Sequence, residues 1–130
     1  QMVHWQARFQ KGELQYTLQQ YKEAAFELKL FCDRKFDPKD ISYLKKRDAN
    51  YIYGKILMEQ EQFDEAAQRF NAALAALEEE PKSAKFSKAD ILLQRGLAKK
   101  LAGKNGFMAD VKEAATLGNK EAKKMLQTKA

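Results

Sequence analysis

Catalysis needs a nucleophile beside a base, a set of metal ligands, or a loop that cradles phosphate. This sequence offers thin candidates for each. Cys32 is the only cysteine and His4 the only histidine. His4 falls at the far end of the first helical segment, so no base stands ready to activate the thiol. A lone cysteine of this kind packs as a small hydrophobe, and it can form no internal disulfide. Gly103-Lys104-Asn105-Gly106 is too short for a phosphate loop and falls between two helical segments. Asp64-Glu65 and Glu78-Glu79-Glu80 read as solvated helix faces. No metal-ligand spacing occurs, so no metal and no cofactor is expected, and the chain is read as not an enzyme.

The elements around these residues say more. The chain has 130 residues, with 45% hydrophobic and 32% charged, enough for one domain with a modest core. Six glycines and two prolines argue against an all-β fold. No apolar run approaches the ~18 residues of a membrane span. Val3-His4-Trp5-Gln6 lacks the basic start and apolar block of a signal peptide. The single cysteine fits a reducing compartment, so a cytoplasmic location is the expectation, with periplasmic or exported ones left open. The net charge is +6, and the excess lies in one half: residues 1–65 hold 11 basic and 11 acidic residues, residues 66–130 hold 13 and 7.

Gln20-Tyr21-Lys22-Glu23-Ala24-Ala25 returns as Gln62-Phe63-Asp64-Glu65-Ala66-Ala67, displaced by 42 residues, and Gly12, Gly54 and Gly96 keep the same step. A fixed period of this size marks stacked helical repeats. Apolar stripes predict helices over about 2–18, 21–34, 42–60, 63–79, 87–101 and 107–117, with a short seventh from Asn119. Pro38 and Pro81 stop the second and fourth, Asp40 or Ser42 caps the third, and Leu44 belongs to its stripe. Ser87-Lys88-Ala89-Asp90 has capping-box form, Gly118 closes the sixth helix and Asn119 caps the seventh. Each glycine lies mid-way along a first helix. In two units an alanine follows twelve residues later, Ala24 and Ala66, which suggests close approach of small side chains across each pair.

Gly12, Tyr21, Ala24 and Pro38, then Gly54, Phe63, Ala66 and Pro81, resemble the tetratricopeptide repeat family. The third unit is degenerate, with Asn105 where the aromatic belongs and Met108 where the alanine belongs. The period is about eight residues longer than the family's 34. The resemblance implies an all-α fold of antiparallel helix pairs stacked as a right-handed α-solenoid. Its units would be about 2–38, 42–81 and 87–118, with a capping helix over 119–128. It also implies a concave groove lined by the first helices. That groove would carry Phe9, Gln10, Glu13 and Tyr16; Asp48, Tyr51, Ile52, Lys55 and Met58; and Asp90, Leu93, Gln94, Leu97 and Lys100. The competing reading of Phe9, Tyr51, Ile52, Leu93 and Leu97 is packing of one unit on the next.

The function expected is a non-catalytic protein-interaction module or scaffold that takes a peptide or helix of a partner protein in that groove. Truncating Tyr51 and Met58 together should then weaken binding without unfolding the domain. Family members that clamp the acidic tails of chaperones use lysine, arginine and asparagine where this chain has Phe9, Glu13, Ile52, Asp90 and Gln94, so that partner is not expected. The alternative is a nucleic acid or another acidic partner on the basic C-terminal third, with 12 basic and 4 acidic residues from Lys82 onward. Only Phe86 and Phe107 could stack on bases there. Self-association through an exposed end near Val3 and Trp5, or membership of a longer array, are further readings.

Overall fold

The computed structural model describes residues 4–37, 39–79 and 87–127, with the side chains of 41–44 and 78–79 left out. Among the described residues every regular element is helical: α1 (Trp5–Thr17), α2 (Tyr21–Asp33), α3 (Ile41–Glu59), α4 (Phe63–Glu79), α5 (Lys88–Leu101), α6 (Phe107–Thr116) and α7 (Lys120–Gln127). Met2, Val3, Pro38, Pro81, Phe86 and the side chains of Ser42, Leu44, Glu78, Glu79 and Glu80 lie outside the described residues. Each helix packs on the next in the chain, α1 also touches α3, and α3 touches α5. No helix among the described residues is long and apolar enough to cross a membrane.

Local chemistry sets the helix starts. The Nδ1 of His4 accepts the Ala7 amide at 3.2 Å. Ser87 and Asp90 form the reciprocal capping box, with 3.1 and 3.4 Å bonds. Asn119 Oδ1 accepts the Ala122 amide at 2.8 Å and opens α7.

The turns inside the pairs carry the period in a form that residue types conceal. Gln19, Glu61 and Gly103 all have positive φ, at 61°, 60° and 73°, and they stand 42 residues apart. Their amides bond to the carbonyls of Tyr16, Met58 and Lys100, and the next amides bond to those of Gln15, Leu57 and Lys99. These are three copies of one Schellman closure, which prefers glycine at the left-handed position. Only the third copy has it. Glu61→Gly is therefore expected to stabilise the chain by about 0.5–1 kcal/mol, since the β-carbon strain outweighs the extra freedom of the unfolded glycine. A urea titration checks this; a lower midpoint would refute the strain.

The glycines work differently from the small-on-small contact expected. A β-carbon at Gly12 would meet Leu28 Cγ and Cδ2 at 2.8 Å, and one at Gly54 would meet the Phe70 ring at 2.5 Å. Each glycine makes room for a large fully buried side chain of its partner helix. Ala24 and Ala66 are buried but are not the nearest groups.

The third pair departs from the others. Phe107 opens α6, two residues after the position where a strict period puts Asn105. Gly96 then meets Asp110 Cβ at 3.1 Å and Phe107 O at 3.3 Å. Leu28 and Phe70 lie seven residues past their aromatics, Asp110 only three. Thus α6 is displaced along its partner by about one helical turn. Arg95 holds it there through two bonds to Asp110, at 2.7 and 2.9 Å, and Lys99 adds a third contact at 3.1 Å.

The core runs through all three pairs, from Phe31 and Leu28 through Ile56 and Phe70 to Ile91, Leu92 and Val111. At its N-terminal end Phe31 touches Phe9 and Phe36, with ring centroids 5.4 and 5.1 Å apart, and Trp5 meets Phe36 edge-on at 5.9 Å. Cys32 is buried beside them, and burial pushes its thiol up to about 12 against the weaker pull of Arg69 and Lys46.

Candidate functional site

The first helices of the first two pairs meet at one group of side chains. Tyr16 comes from the last turn of α1, and Tyr51 and Lys55 stand one turn apart on α3. The Lys55 ammonium lies over both rings, 5.8 Å from the Tyr16 centroid and 5.6 Å from that of Tyr51. Both distances fall within cation–π range. Tyr21, at the start of α2, adds a third ring 6.0 Å from Tyr16.

Two carboxylates act electrostatically on this group. Burial raises the Tyr51 phenol well above its ordinary pKa, and Asp90 and Tyr16 add to the shift. Asp90 of α5 is therefore electrostatically coupled to the same face. Its Oδ1 accepts a 3.1 Å bond from Asn119 Nδ2, which ties the start of α7 to the start of α5. The Tyr21 phenol is likewise raised, by desolvation first and then by Glu59 and Tyr16. Glu13 stands half-buried three residues before Tyr16, on the same side of α1.

The expected groove residues divide into three groups. Tyr16, Lys55, Met58, Glu13 and Leu97 keep part of their surface in solvent, as do Asp90 and Gln94; Gln10 is exposed. Phe9, Tyr51, Ile52 and Leu93 are buried with their apolar atoms in the core. Phe9 meets Phe31 and Tyr51 meets Phe70 on the second helix of the same pair, with ring centroids 5.4 and 5.8 Å apart, so these side chains serve the core, and Tyr51 also offers its ring to Lys55. Asp48 is also buried, with its carboxylate 3.8 Å from the Arg47 guanidinium. Lys100 is exposed but turns to its own pair, 5.0 Å over the Phe107 ring.

Two residues linked to this group, Glu59 through Tyr21 and Asn119 through Asp90, carry no motif. Glu59 lies five residues after Gly54, a phase also held by Thr17 and Leu101, both exposed. Asn119 is legible only as a helix cap. Counting the exposed phases after each glycine would have found the first; nothing in the sequence announces the second.

Other surfaces are less organised. Of the C-terminal basic residues, Lys88 pairs with Glu113 at 3.5 Å, Arg95 and Lys99 with Asp110, and Lys104 with Asp64 at 2.9 Å. Four of these basic residues are thus ion-paired, three of them to acids of the same segment, so most of the local positive excess remains. A cleft of about 290 Å³ near His4, Ala7, Arg8, Lys11 and Glu27 is floored by the Arg8–Glu27 pair at 2.6 Å. Among the described residues no three His, Cys, Asp or Glu side chains converge as metal ligands. No family model, curated protein or solved structure matches this chain.

Proposed function

We propose that this chain is a non-catalytic interaction module of tetratricopeptide-like construction. Its three helix pairs stack as a right-handed α-solenoid, and the face shared by α1, α3 and α5 grips a peptide or helix of a partner protein. The observation that carries the reading is the line from Tyr16 through Lys55 and Tyr51 toward Asp90. It joins α1 to α3 by contact, the Asp90 carboxylate of α5 acts electrostatically on the Tyr51 phenol, and Tyr16, Lys55 and Asp90 stay partly in solvent. Amphipathic tyrosines and a pliable methionine suit recognition of an extended segment. The three matching Schellman closures support repeat construction independently of residue identity.

The buried position of Tyr51 moves the test to Tyr16 and Met58. Twelve-residue peptides selected from a random library on the immobilised chain serve as the probe. Tyr16→Ala with Met58→Ala is expected to weaken their binding at least tenfold by calorimetry, about 1.4 kcal/mol, with a cooperative unfolding transition retained. Unchanged affinity in a folded double variant, or no selected peptide at all, would discard the reading.

A further inference from the structure

We infer that the outer flank of the first pair, the side of α1 that carries Ala7, Lys11, Leu14 and Leu18, docks an amphipathic helix of a partner protein. The docking side of that helix carries a small residue, an asparagine or aspartate four residues on, and an apolar residue seven on. This flank is separate from the group formed by Tyr16, Lys55 and Tyr51, so the inference stands independently of that face.

The inner pairs show what fits. Ala7, Lys11 and Leu14 recur in phase as Ala49, Tyr53 and Ile56, and again as Ile91, Arg95 and Ala98. In α3 all three are buried, and in α5 Ile91 and Ala98 are buried with Arg95 half-buried. Beyond its own pair, α3 packs chiefly on α2, and α5 chiefly on α4. Arg95 donates a 2.9 Å bond to Asn71, which marks the side of α4 turned to α5. Ala67 and Leu74, four residues before Asn71 and three after, share that side, and both are buried. The same phases of α2 hold half-buried Ala25 and buried Cys32. There the crossing bond runs from Arg69 of α4 to Asp33, at 3.3 Å.

On α1 this side is uncovered among the described residues. Leu14 and Leu18 are 58% and 57% exposed, and Ala7 and Lys11 are exposed as well. The four stand at spacings of four, three and four, the pattern of a helix-to-helix seam. The C-terminal end is finished differently. Helix α7 buries Ala122 and turns Lys120, Glu121, Lys123 and Lys124 to water, as an end-capping element does. Charge sets the polar residue of the occupant. Arg8 and Lys11 share the Glu27 carboxylate, at 2.6 and 3.3 Å, beside the cleft of about 290 Å³. Two cations on one carboxylate leave the cluster positive. Lys11 holds the phase from which Arg95 crosses to Asn71, and its side chain is 62% exposed. An asparagine or aspartate entering there repeats the crossing, and a lysine would be repelled.

The probe is a blocked peptide of the α4 sequence, residues 63–79. A lactam between Glu65 and Arg69→Lys, on the side away from Asn71, holds it helical. Titrated into the isotope-labelled full chain, it is expected to shift the amide resonances of residues 7–18 and to saturate below about 1 mM. Leu14→Glu, at an exposed position, is expected to weaken binding at least tenfold while the chain stays folded. Asn71→Lys in the peptide is expected to weaken it several-fold. No saturation by about 1 mM, shifts centred on Lys55 and Met58, or unchanged affinity in folded Leu14→Glu would overturn the inference. So would a chain that sediments as a dimer until Leu14→Glu breaks it, because a second copy would then be the occupant.

Discussion

Ile56→Ala is expected to lower the free energy of unfolding by about 2–5 kcal/mol, whereas Leu14→Ala, 42 residues earlier at the same phase, is expected to change it by less than about 0.5 kcal/mol. Leu14, Ile56 and Ala98 hold one register position relative to Gly12, Gly54 and Gly96. Their exposures are 58%, 0% and 0%. The difference comes from what each helix packs against. The helix α3 lies against α1 and α2 on one side and α4 and α5 on the other, so nearly its whole circumference is buried. In α1 the same side meets solvent: Ala7, Lys11 and Leu14 are exposed where Ala49, Tyr53 and Ile56 are buried. Removing three carbons from Ile56 leaves a cavity that close-packed neighbours cannot fill, and removing them from Leu14 returns little area to water. Urea titrations of both variants decide the point. Similar losses would mean that the Leu14 side is covered in solution.

The same contrast explains what could be read from the sequence. Helix number, helix order and three of the caps were legible, because apolar spacing and capping residues act within a few neighbours. The repeat phase was legible too, from Gly12, Gly54 and Gly96. What escaped was the width of each buried arc. Phase relative to glycine puts Phe9, Tyr51, Ile52 and Leu93 toward a groove, but the phase of Phe9, Tyr51 and Leu93 is buried in all three pairs, and only at the next phase does α3 bury Ile52 where α1 exposes Gln10. The left-handed turn residues Gln19 and Glu61 escaped because neither has the glycine that advertises the geometry. The two-residue delay before Phe107 hid the aromatic of the third pair, so that pair looked more degenerate than it is.

That delay leads to the second large effect. Asp110→Ala is expected to cost about 3 kcal/mol at neutral pH, the low end for breaking a buried ion pair. Asp110 is 4% exposed and takes hydrogen bonds from Arg95 Nε and an Arg95 terminal amine, with Lys99 beside them. Arg95 also reaches Asn71 of α4 at 2.9 Å, so the cluster joins the second and third pairs. Alanine would leave two cations facing each other across the void. Their side chains are 22% and 23% exposed, so water relieves part of the penalty and the loss stays below the upper limit of about 5 kcal/mol. Protonation should imitate the substitution. Burial pushes the Asp110 carboxyl up, but the hydrogen bonds and charges of Arg95 and Lys99 outweigh it and hold the group below the ordinary carboxylate range. A folded pKa below the unfolded one gives stability that is present above the unfolded value and is lost as pH falls through the folded one. The gap between the parent chain and Asp110→Asn, measured by urea titration, should therefore be full at pH 7 and shrink steadily below about pH 4. Asp33 is lowered as well, by Lys29 and Arg69 against the opposing push of burial, but it is present in both proteins and cancels from the difference. A gap that stays constant down to pH 2 would show that Asp110 holds α6 in place by shape alone, and that the displaced helix owes nothing to its charge.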